Sequence, residues 1–165
     1  MKHEIVVIAH NLRSTHNVGS LLRTADGLGV TEVFLTGYSP YPETPDDLRL
    51  PHERSKITRQ IHKTALGAEQ SVVWKHFDAL QPVLETLKKQ GFTIAALEQH
   101  KDSIKLPDFT APQRIAIIIG REVEGIEPEI LKYCDIILEI PMRGEKESFN
   151  VVQAAAIAIY HLTFS

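Results

Sequence analysis

Short apolar runs alternate along the chain with segments of helical periodicity. The runs predict strands at residues 5–9, 32–36, 72–74, 93–97, 115–119 and 136–140. The periodic segments predict helices at residues 18–28, 57–65, 79–90 (with Asp78 as the cap), 128–132 and 151–162. Continuous apolar strands such as 115–119 are typical of a sheet that is covered on both faces. The alternation therefore predicts an α/β fold with a mostly parallel sheet flanked by helices.

Composition fits one compact domain spanning residues 1–165. The chain is 43% hydrophobic and 24% charged, as in soluble globular proteins. No apolar run approaches the roughly 20 residues that a membrane-spanning helix needs. The start leads directly into the first predicted strand, so we expect no signal peptide. Cys134 is the single cysteine, and a reducing cytoplasm is the expected location.

The net charge of −3 neither favours nor excludes a nucleic-acid partner, because a chain with a negative total charge can still carry a local basic patch. Basic side chains are concentrated in one stretch: Arg49, His52, Arg54, Lys56, Arg59, His62 and Lys63. On charge alone, a solvated loop and helix face explain this stretch without any ligand.

The segment after the first predicted strand is polar, and Asn17 is placed to cap the helix that follows. Gly19, Arg23 and Gly27 recur at a spacing of four residues, so they share one helix face. Two glycines beside an arginine remove bulk where a ligand approaches. A plain helix surface, with Arg23 paired to Asp26, explains the same spacing.

A second polar segment follows the strand 115–119. It contains Gly120, Glu122 and Gly125, and it matches neither the dinucleotide-binding nor the phosphate-binding glycine pattern. An ordinary strand-to-helix turn is the competing explanation.

A third polar segment follows the strand 136–140 and leads into the last helix. Either Ser148 or Asn150 is placed to cap that helix. Residues 151–162 are apolar nearly all round, which predicts that the helix is buried.

Together the three segments resemble, in order and spacing, the three motifs of SpoU/TrmH-class RNA methyltransferases. The first resembles N-x-G-x-x-x-R through Asn17, Gly19 and Arg23, and the second G-x-E-x-x-G through Gly120, Glu122 and Gly125. The third resembles the family pattern through Ile140, Pro141, Met142, Gly144, Ser148, Asn150 and Val151. The likeness covers residues 11–160. Two residues depart from the family pattern: Arg121 stands where the family commonly has Asn or Ser, and Phe149 stands where it commonly has Leu.

The resemblance implies a parallel sheet whose C-terminal part is threaded into a trefoil knot, an exception to the usual rule against threading. It implies a single methyltransferase domain without a separate RNA-binding domain. It also implies that the knot loops bind a bent S-adenosylmethionine (AdoMet), largely through backbone groups. The cofactor-binding residues expected from the family are Leu97, Gly120, Ile140, Met142, Ser148 and Phe149.

The activity implied is methyl transfer from AdoMet to a ribose 2′-hydroxyl of tRNA or rRNA, with tRNA slightly favoured because small single-domain relatives include tRNA enzymes. The catalytic residues expected from the family are Arg23, Asn17, Glu122, Ser148 and Asn150. A guanidinium is always charged, so our hypothesis is that Arg23 binds the neighbouring phosphate and stabilises the developing alkoxide.

The partners implied are RNA and a second copy of the chain. Members of this class are homodimers, and the first and last helices are the interface candidates. The basic stretch supplies the candidate RNA contacts Arg54, Lys56 and Arg59.

Two other functions compete with this interpretation. The first is an RNA- or cofactor-binding module of the same fold that has lost catalysis; the joint presence of Arg23, Glu122, Ser148 and Asn150 argues against it. The second is a phosphotransferase, which no phosphate-binding loop supports. The eight histidines are scattered without ligand spacing, so we expect no metal. Cys134 is expected to be a small buried filler.

Overall fold

The computed structural model describes residues 3–165, which form one parallel sheet with helices on both faces. The seven strands in this range are β1 Glu4–His10, β2 Glu32–Thr36, β3 Trp74–Phe77, β4 Thr93–Leu97, β5 Ile104–Lys105, β6 Arg114–Ile119 and β7 Ile136–Glu139. They pair in the order β3-β2-β1-β6-β4-β7-β5. Every pairing is parallel, which confirms the predicted fold class.

Six helices in the same range cover the sheet: α1 Thr15–Leu28, α2 Pro51–Ala65, α3 Ala68–Ser71, α4 Gln81–Lys89, α5 Pro128–Tyr133 and α6 Val151–Phe164. Side chains alternate between the two faces of a strand. Ile117 of β6 therefore packs in a core layer with α1, α2 and α6, whereas Ile118 packs with α4 and α5 on the other face. Both residues are fully buried, as expected for a central parallel strand.

Several element boundaries differ from the sequence prediction: α2, predicted at 57–65, already begins at Pro51, and neither α3 nor the two-residue strand β5 was predicted. The strand predicted at 72–74 lies at Trp74–Phe77; it is an edge strand, and its alternating exposure includes polar residues that an apolar run does not reveal. Helix α1 begins at Thr15, and its cap is Ser14, whose Oγ accepts from the Asn17 N–H at 3.1 Å. Helix α4 begins after Leu80 with no side-chain cap, so Asp78 does not cap it.

Helix α6 is buried on one face only. Its buried residues are Val152, Ala155, Ala158, Ile159 and Leu162. On its outer face Ile157 is 39% exposed, Tyr160 60% and Phe164 67%. The prediction that the whole helix is buried is therefore wrong within a single chain. Asn150 caps the helix by accepting from the Val152 and Gln153 N–H groups at 2.9 and 3.3 Å, which decides between Asn150 and Ser148.

The chain returns into its own sheet near the C-terminus. Strand β7 lies between β4 and β5, both of which precede it in sequence. This insertion is the arrangement that a C-terminal knot requires, and the knot itself stays a prediction. The order also makes β1, β6, β4 and β7 neighbours, so the loops after these strands meet at one edge of the sheet. Within residues 3–165, no helix has the length and apolar character needed to cross a membrane.

Candidate active site

A cavity opens at the carboxyl ends of β4, β6 and β7. Its volume is about 660 Å³ including the part open to solvent. All six residues expected to contact a cofactor line it: Leu97, Gly120, Ile140, Met142, Ser148 and Phe149. The structure thus brings together residues from three separate segments of the chain.

The segment after β6 forms a tight hairpin along the cavity wall. The Arg121 N–H donates to the Gly125 carbonyl at 3.3 Å, and the Gly125 N–H donates back at 3.2 Å. Gly125 has a φ of +72°, and a Cβ there would lie 2.2 Å from Glu98 Oε2. A Cβ on Gly120 would lie 2.6 Å from Ile126 Cγ1. Both glycines of this motif are therefore required by the packing of the hairpin itself.

Glu122, at the turn of this hairpin, binds the start of α1. Its carboxylate accepts from the backbone N–H groups of Arg13 and Ser14, both at 3.0 Å, and from Asn17 Nδ2 at 3.3 Å. Burial alone raises the pKa of Glu122, but the hydrogen bonds from Ser14, Asn17 and Arg13 outweigh it and hold the pKa below the ordinary value. Glu122 is therefore ionised at neutral pH. The side chain of Asn17, which was predicted to cap the helix, instead orients this carboxylate.

Arg23 lies away from the cavity of its own chain. Its side chain is exposed on α1 and does not line the cavity. The alternative pairing with Asp26 does not occur, because Asp26 Oδ1 accepts from Ser71 Oγ at 2.7 Å. Within one chain, the structure therefore unites Asn17 and Glu122 but leaves Arg23 apart from them.

The two glycines that flank Arg23 on α1, Gly19 and Gly27, have different surroundings. A Cβ on Gly19 would lie 2.2 Å from the Ile61 carbonyl oxygen and from Thr64 Oγ1, so Gly19 allows α1 to pack closely on α2. Nothing lies within 4 Å of the corresponding position at Gly27. The interpretation of Gly19 as room for a ligand is therefore corrected, because a helix already occupies that space.

The segment before α6 forms the remaining wall. Ser148 and Phe149 line the cavity, whereas Asn150 is occupied in capping α6. The Gln99 side-chain amide donates to the Glu147 carbonyl, which ties the loop after β4 to this segment.

Sequence reasoning missed two polar residues of the cavity wall, Glu98 and Gln99. Glu98 lines the cavity, and its two oxygens accept from the N–H groups of Gln99 at 2.9 Å and Ile126 at 3.0 Å. The available signal was its position directly after the predicted strand 93–97, since polar residues at the carboxyl ends of parallel strands face the ligand site.

The comparison with known families decides which family the chain belongs to. The family described as SpoU rRNA Methylase matches residues 4–160, a range that contains every segment of the cavity wall. The chain belongs to the SpoU methylase family.

Several relatives share most of this SpoU chain. A protein of Staphylococcus haemolyticus assigned to the TrmH family of tRNA/rRNA methyltransferases is 32% identical over 158 residues, which is 95% of the chain and 57% of the relative. A Staphylococcus epidermidis protein of the same description is 31% identical over 98% of the chain and 59% of its own length. The chain thus spans less than three fifths of the curated relatives it matches.

Solved structures share the fold. The SpoU methyltransferase AviRb from Streptomyces viridochromogenes superposes with a TM-score of 0.79 at 22% identity, covering 98% of this chain and 59% of AviRb. AviRb has also been solved in complex with AdoMet. A TrmH/SpoU tRNA-modifying enzyme of A. aeolicus gives a TM-score of 0.77 at 24% identity, covering 97% of this chain and 74% of the enzyme.

Arg121, which stands where the family commonly has Asn or Ser, makes its contacts within the hairpin. Arg121 Nε donates to the Gly125 carbonyl at 3.2 Å and lies 3.8 Å from a Glu127 carboxylate oxygen. The guanidinium is thus directed at its own hairpin and at the start of α5.

The basic stretch is only partly available for RNA. Arg49 stacks over the Tyr41 ring at 3.7 Å and binds Asp47. Arg54 pairs with Glu43 at 2.7 Å and donates to the Asp47 carbonyl. Of the three candidate RNA contacts, Arg54 is therefore already engaged in bracing the loop before α2, while Lys56 and Arg59 are exposed.

Two further features lie outside the cavity: the distribution of possible metal ligands and the state of Cys134. Within residues 3–165, no group of three or more His, Cys, Asp or Glu side chains is arranged to hold a metal ion. Burial raises the pKa of the Cys134 thiol to about 11, and its Sγ donates to the Ile130 carbonyl at 3.2 Å. This thiol stays protonated at neutral pH, which fits a packing role.

Proposed function

We propose that this protein is an AdoMet-dependent RNA 2′-O-ribose methyltransferase acting on tRNA or rRNA. The observation that carries the proposal is the junction at Glu122, where the second family motif lines the cavity and binds Asn17 of the first. Residues from the third motif complete the same wall. Family membership supports the reaction class; the ribose as acceptor follows from the resemblance and is the part to be tested.

The chemistry of the cavity walls fits AdoMet. Its walls combine apolar side chains such as Leu97, Ile140 and Met142 with loop backbone at Gly120 and Ser148. This mixture suits an adenosine held by apolar contact and backbone hydrogen bonds. The AdoMet complexes of AviRb and of an rRNA methyltransferase from Sinorhizobium meliloti support the assignment.

The proposed reaction is an in-line displacement. AdoMet supplies an electrophilic methyl group: the bond from the ribose 2′-oxygen to the methyl carbon forms as the carbon–sulfur bond breaks. The sulfonium becomes a neutral thioether, and the proton of the 2′-hydroxyl leaves through the neighbouring phosphate to solvent. Holding the two reactants in line supplies much of the rate. Arg23 is always charged, so we assign it to the phosphate beside the acceptor and to the developing alkoxide rather than to proton removal.

A homodimer is part of this proposal, because Arg23 does not line the cavity of its own chain. The surface that supports it is the outer face of α6, where Ile157, Tyr160 and Phe164 are exposed. These side chains line an apolar groove with Leu106 and Pro141. A contiguous apolar patch of this kind marks an interaction surface. A partner packed there would bring a second copy of α1 into the same assembly.

RNA contact is proposed for Lys56 and Arg59, the exposed part of the basic stretch. Substituting both by Ala should weaken RNA binding and flatten its dependence on salt, because each lost phosphate contact lowers the salt slope by roughly 0.7–0.9. Unchanged affinity and slope would remove this surface from the account. Between the two RNA pools we slightly favour tRNA, and the labelling experiment below decides between them.

The proposal is tested by methyl transfer from labelled AdoMet into total tRNA and, separately, rRNA. Wild type should label one pool, and Arg23→Ala should lose at least about a hundredfold in rate. Arg114→Ala is the matched control, since Arg114 is an exposed arginine at the amino end of β6 that pairs with Glu4. AdoMet binding without transfer to either pool would favour the inactive binding module, and absence of AdoMet binding would contradict the proposal.

A further inference from the structure

Two carboxylates stand in the wall of the cavity without a cationic partner. Glu98 and Glu122 both line it, and the ion pairs formed within residues 3–165 include neither of them. Their oxygens accept only from N–H groups of amides. The one cation of the wall, Arg121, faces Glu127 at 3.8 Å. The cavity thus carries uncompensated negative charge.

The two carboxylates of the wall join different elements. Glu122 is directed at the backbone of Arg13 and Ser14. Glu98 lies between the end of β4 and the hairpin, where Ile126 donates to Oε2 at 3.0 Å. A side chain at position 125 would collide with the same oxygen at 2.2 Å, so Gly125 leaves room for the carboxylate to occupy this place.

The proposed reaction changes the charge of the bound molecule at nearly constant shape. AdoMet carries a sulfonium, whereas its product S-adenosylhomocysteine carries a neutral thioether and lacks one methyl group. Both molecules carry the same amino-acid ammonium and carboxylate groups, so only the charge at sulfur differs, and a fixed negative charge near the sulfur attracts the sulfonium but not the thioether.

We propose that Glu98 is a specificity-determining residue that makes the cavity prefer the sulfonium cofactor over the neutral thioether product. The inference rests on the proposed function. It gives the site a means of releasing product: methyl transfer removes the charge that Glu98 attracts, and fresh AdoMet displaces the product. Glu98 acts here through its charge, in addition to holding the hairpin through Ile126.

The test compares the dissociation constants of both ligands, measured by calorimetry, in wild type and Glu98→Gln. The substitution keeps the shape and one acceptor oxygen but removes the charge. The preference for AdoMet over S-adenosylhomocysteine should fall by about fivefold or more, the order expected for a unit charge several ångströms away in a partly solvated site. A purely structural role would weaken both ligands equally and leave the ratio unchanged, which would overturn the inference.

Glu124→Gln is the matched control. Glu124 lies on the same hairpin, is exposed and does not line the cavity, so the same loss of charge there should leave the ratio as in wild type. If the preference for AdoMet fell equally in Glu124→Gln, the effect would come from the overall electrostatic potential of the protein. That result would contradict a specific role for Glu98.

A measurement on wild type alone covers the case in which Glu98→Gln does not fold. An analogue with a protonated amine in place of the sulfonium should bind more tightly than S-adenosylhomocysteine. Equal affinity for the cationic and neutral ligands would overturn the inference and leave the proposed function standing. Failure of AdoMet, analogue and product all to bind would instead contradict the proposed function.

Discussion

The side-chain amide of Asn17 donates a hydrogen bond to Glu122 Oε1 at 3.3 Å, although the two residues are 105 positions apart in sequence. The same carboxylate accepts from the Ser14 N–H, so hydrogen bonds connect the second family motif to the start of α1. This contact is possible because β1 and β6 are neighbours in the sheet. The two motifs therefore form one structural unit beside the cavity.

The first prediction concerns this unit. Glu122→Gln removes the charge and keeps an acceptor, so transfer should fall at least about tenfold through misplacement of the hairpin and the α1 loop. The free energy of unfolding should fall by roughly 1–2 kcal/mol, because hydrogen bonds to a charged acceptor are lost. Single-turnover kinetics and urea unfolding check the two effects. A variant with normal transfer would show that the junction does not position the site.

The second prediction separates the two glycines that flank Arg23. Gly19→Ala should destabilise the protein by roughly 1–3 kcal/mol, because the methyl group meets the Ile61 carbonyl of α2. Gly27→Ala is the matched control: the position is helical and open, and alanine there should stabilise by about 0.5–1 kcal/mol. Thermal unfolding of both variants measures the contrast. Equal effects would contradict the close packing of α1 on α2.

This pair shows where sequence reasoning reached its limit. The spacing of Gly19, Arg23 and Gly27 defines one helix face, but what lies opposite each residue depends on α2, which is far away in the chain. The hydrophobic alternation predicted most strands because burial of a parallel sheet leaves a local pattern. It placed β3 two residues too early, because this edge strand contains polar residues, and it missed β5, a two-residue strand whose residues are exposed. Glu98 was missed because a single acidic residue after a strand carries no motif of its own.

The third prediction is that the stability of the fold depends on pH through Asp47. The Asp47 side chain is 1% exposed, and the hydrogen bond from the Arg49 side chain, the largest cause, holds the pKa of Asp47 well below its usual range despite burial. A depressed carboxyl pKa stabilises the fold above the unfolded pKa of about 3.9. That contribution is lost as the pH falls further, towards the folded pKa.

Asp47→Asn should therefore lose roughly 1–3 kcal/mol of stability at pH 7 and should approach wild type as the pH drops below about 4. Denaturant unfolding across this range measures the difference. Asp46→Asn, at the exposed neighbouring position, is the control and should follow wild type throughout. A constant gap between Asp47→Asn and wild type at every pH would contradict the ionic role of Asp47.

The fourth prediction concerns the outer face of α6. Tyr160→Glu places a charge in the apolar groove and should convert a dimer into a monomer, with loss of transfer because Arg23 is no longer supplied to the cavity. Tyr38→Glu is the matched control, since Tyr38 is similarly exposed at 54% but lies outside α6. Sedimentation velocity measures the mass. A wild type that is monomeric and active would contradict the dimer and its role.

The most direct test of the central claim is the position of the transferred methyl group. RNA modified by the wild-type protein with labelled AdoMet should be digested to nucleosides and analysed by mass spectrometry. We predict that the label is on the sugar fragment, as a 2′-O-methyl ribose at one nucleotide, and that it is absent from RNA treated with Arg23→Ala. Label on the base, or label that persists without Arg23, would contradict the account.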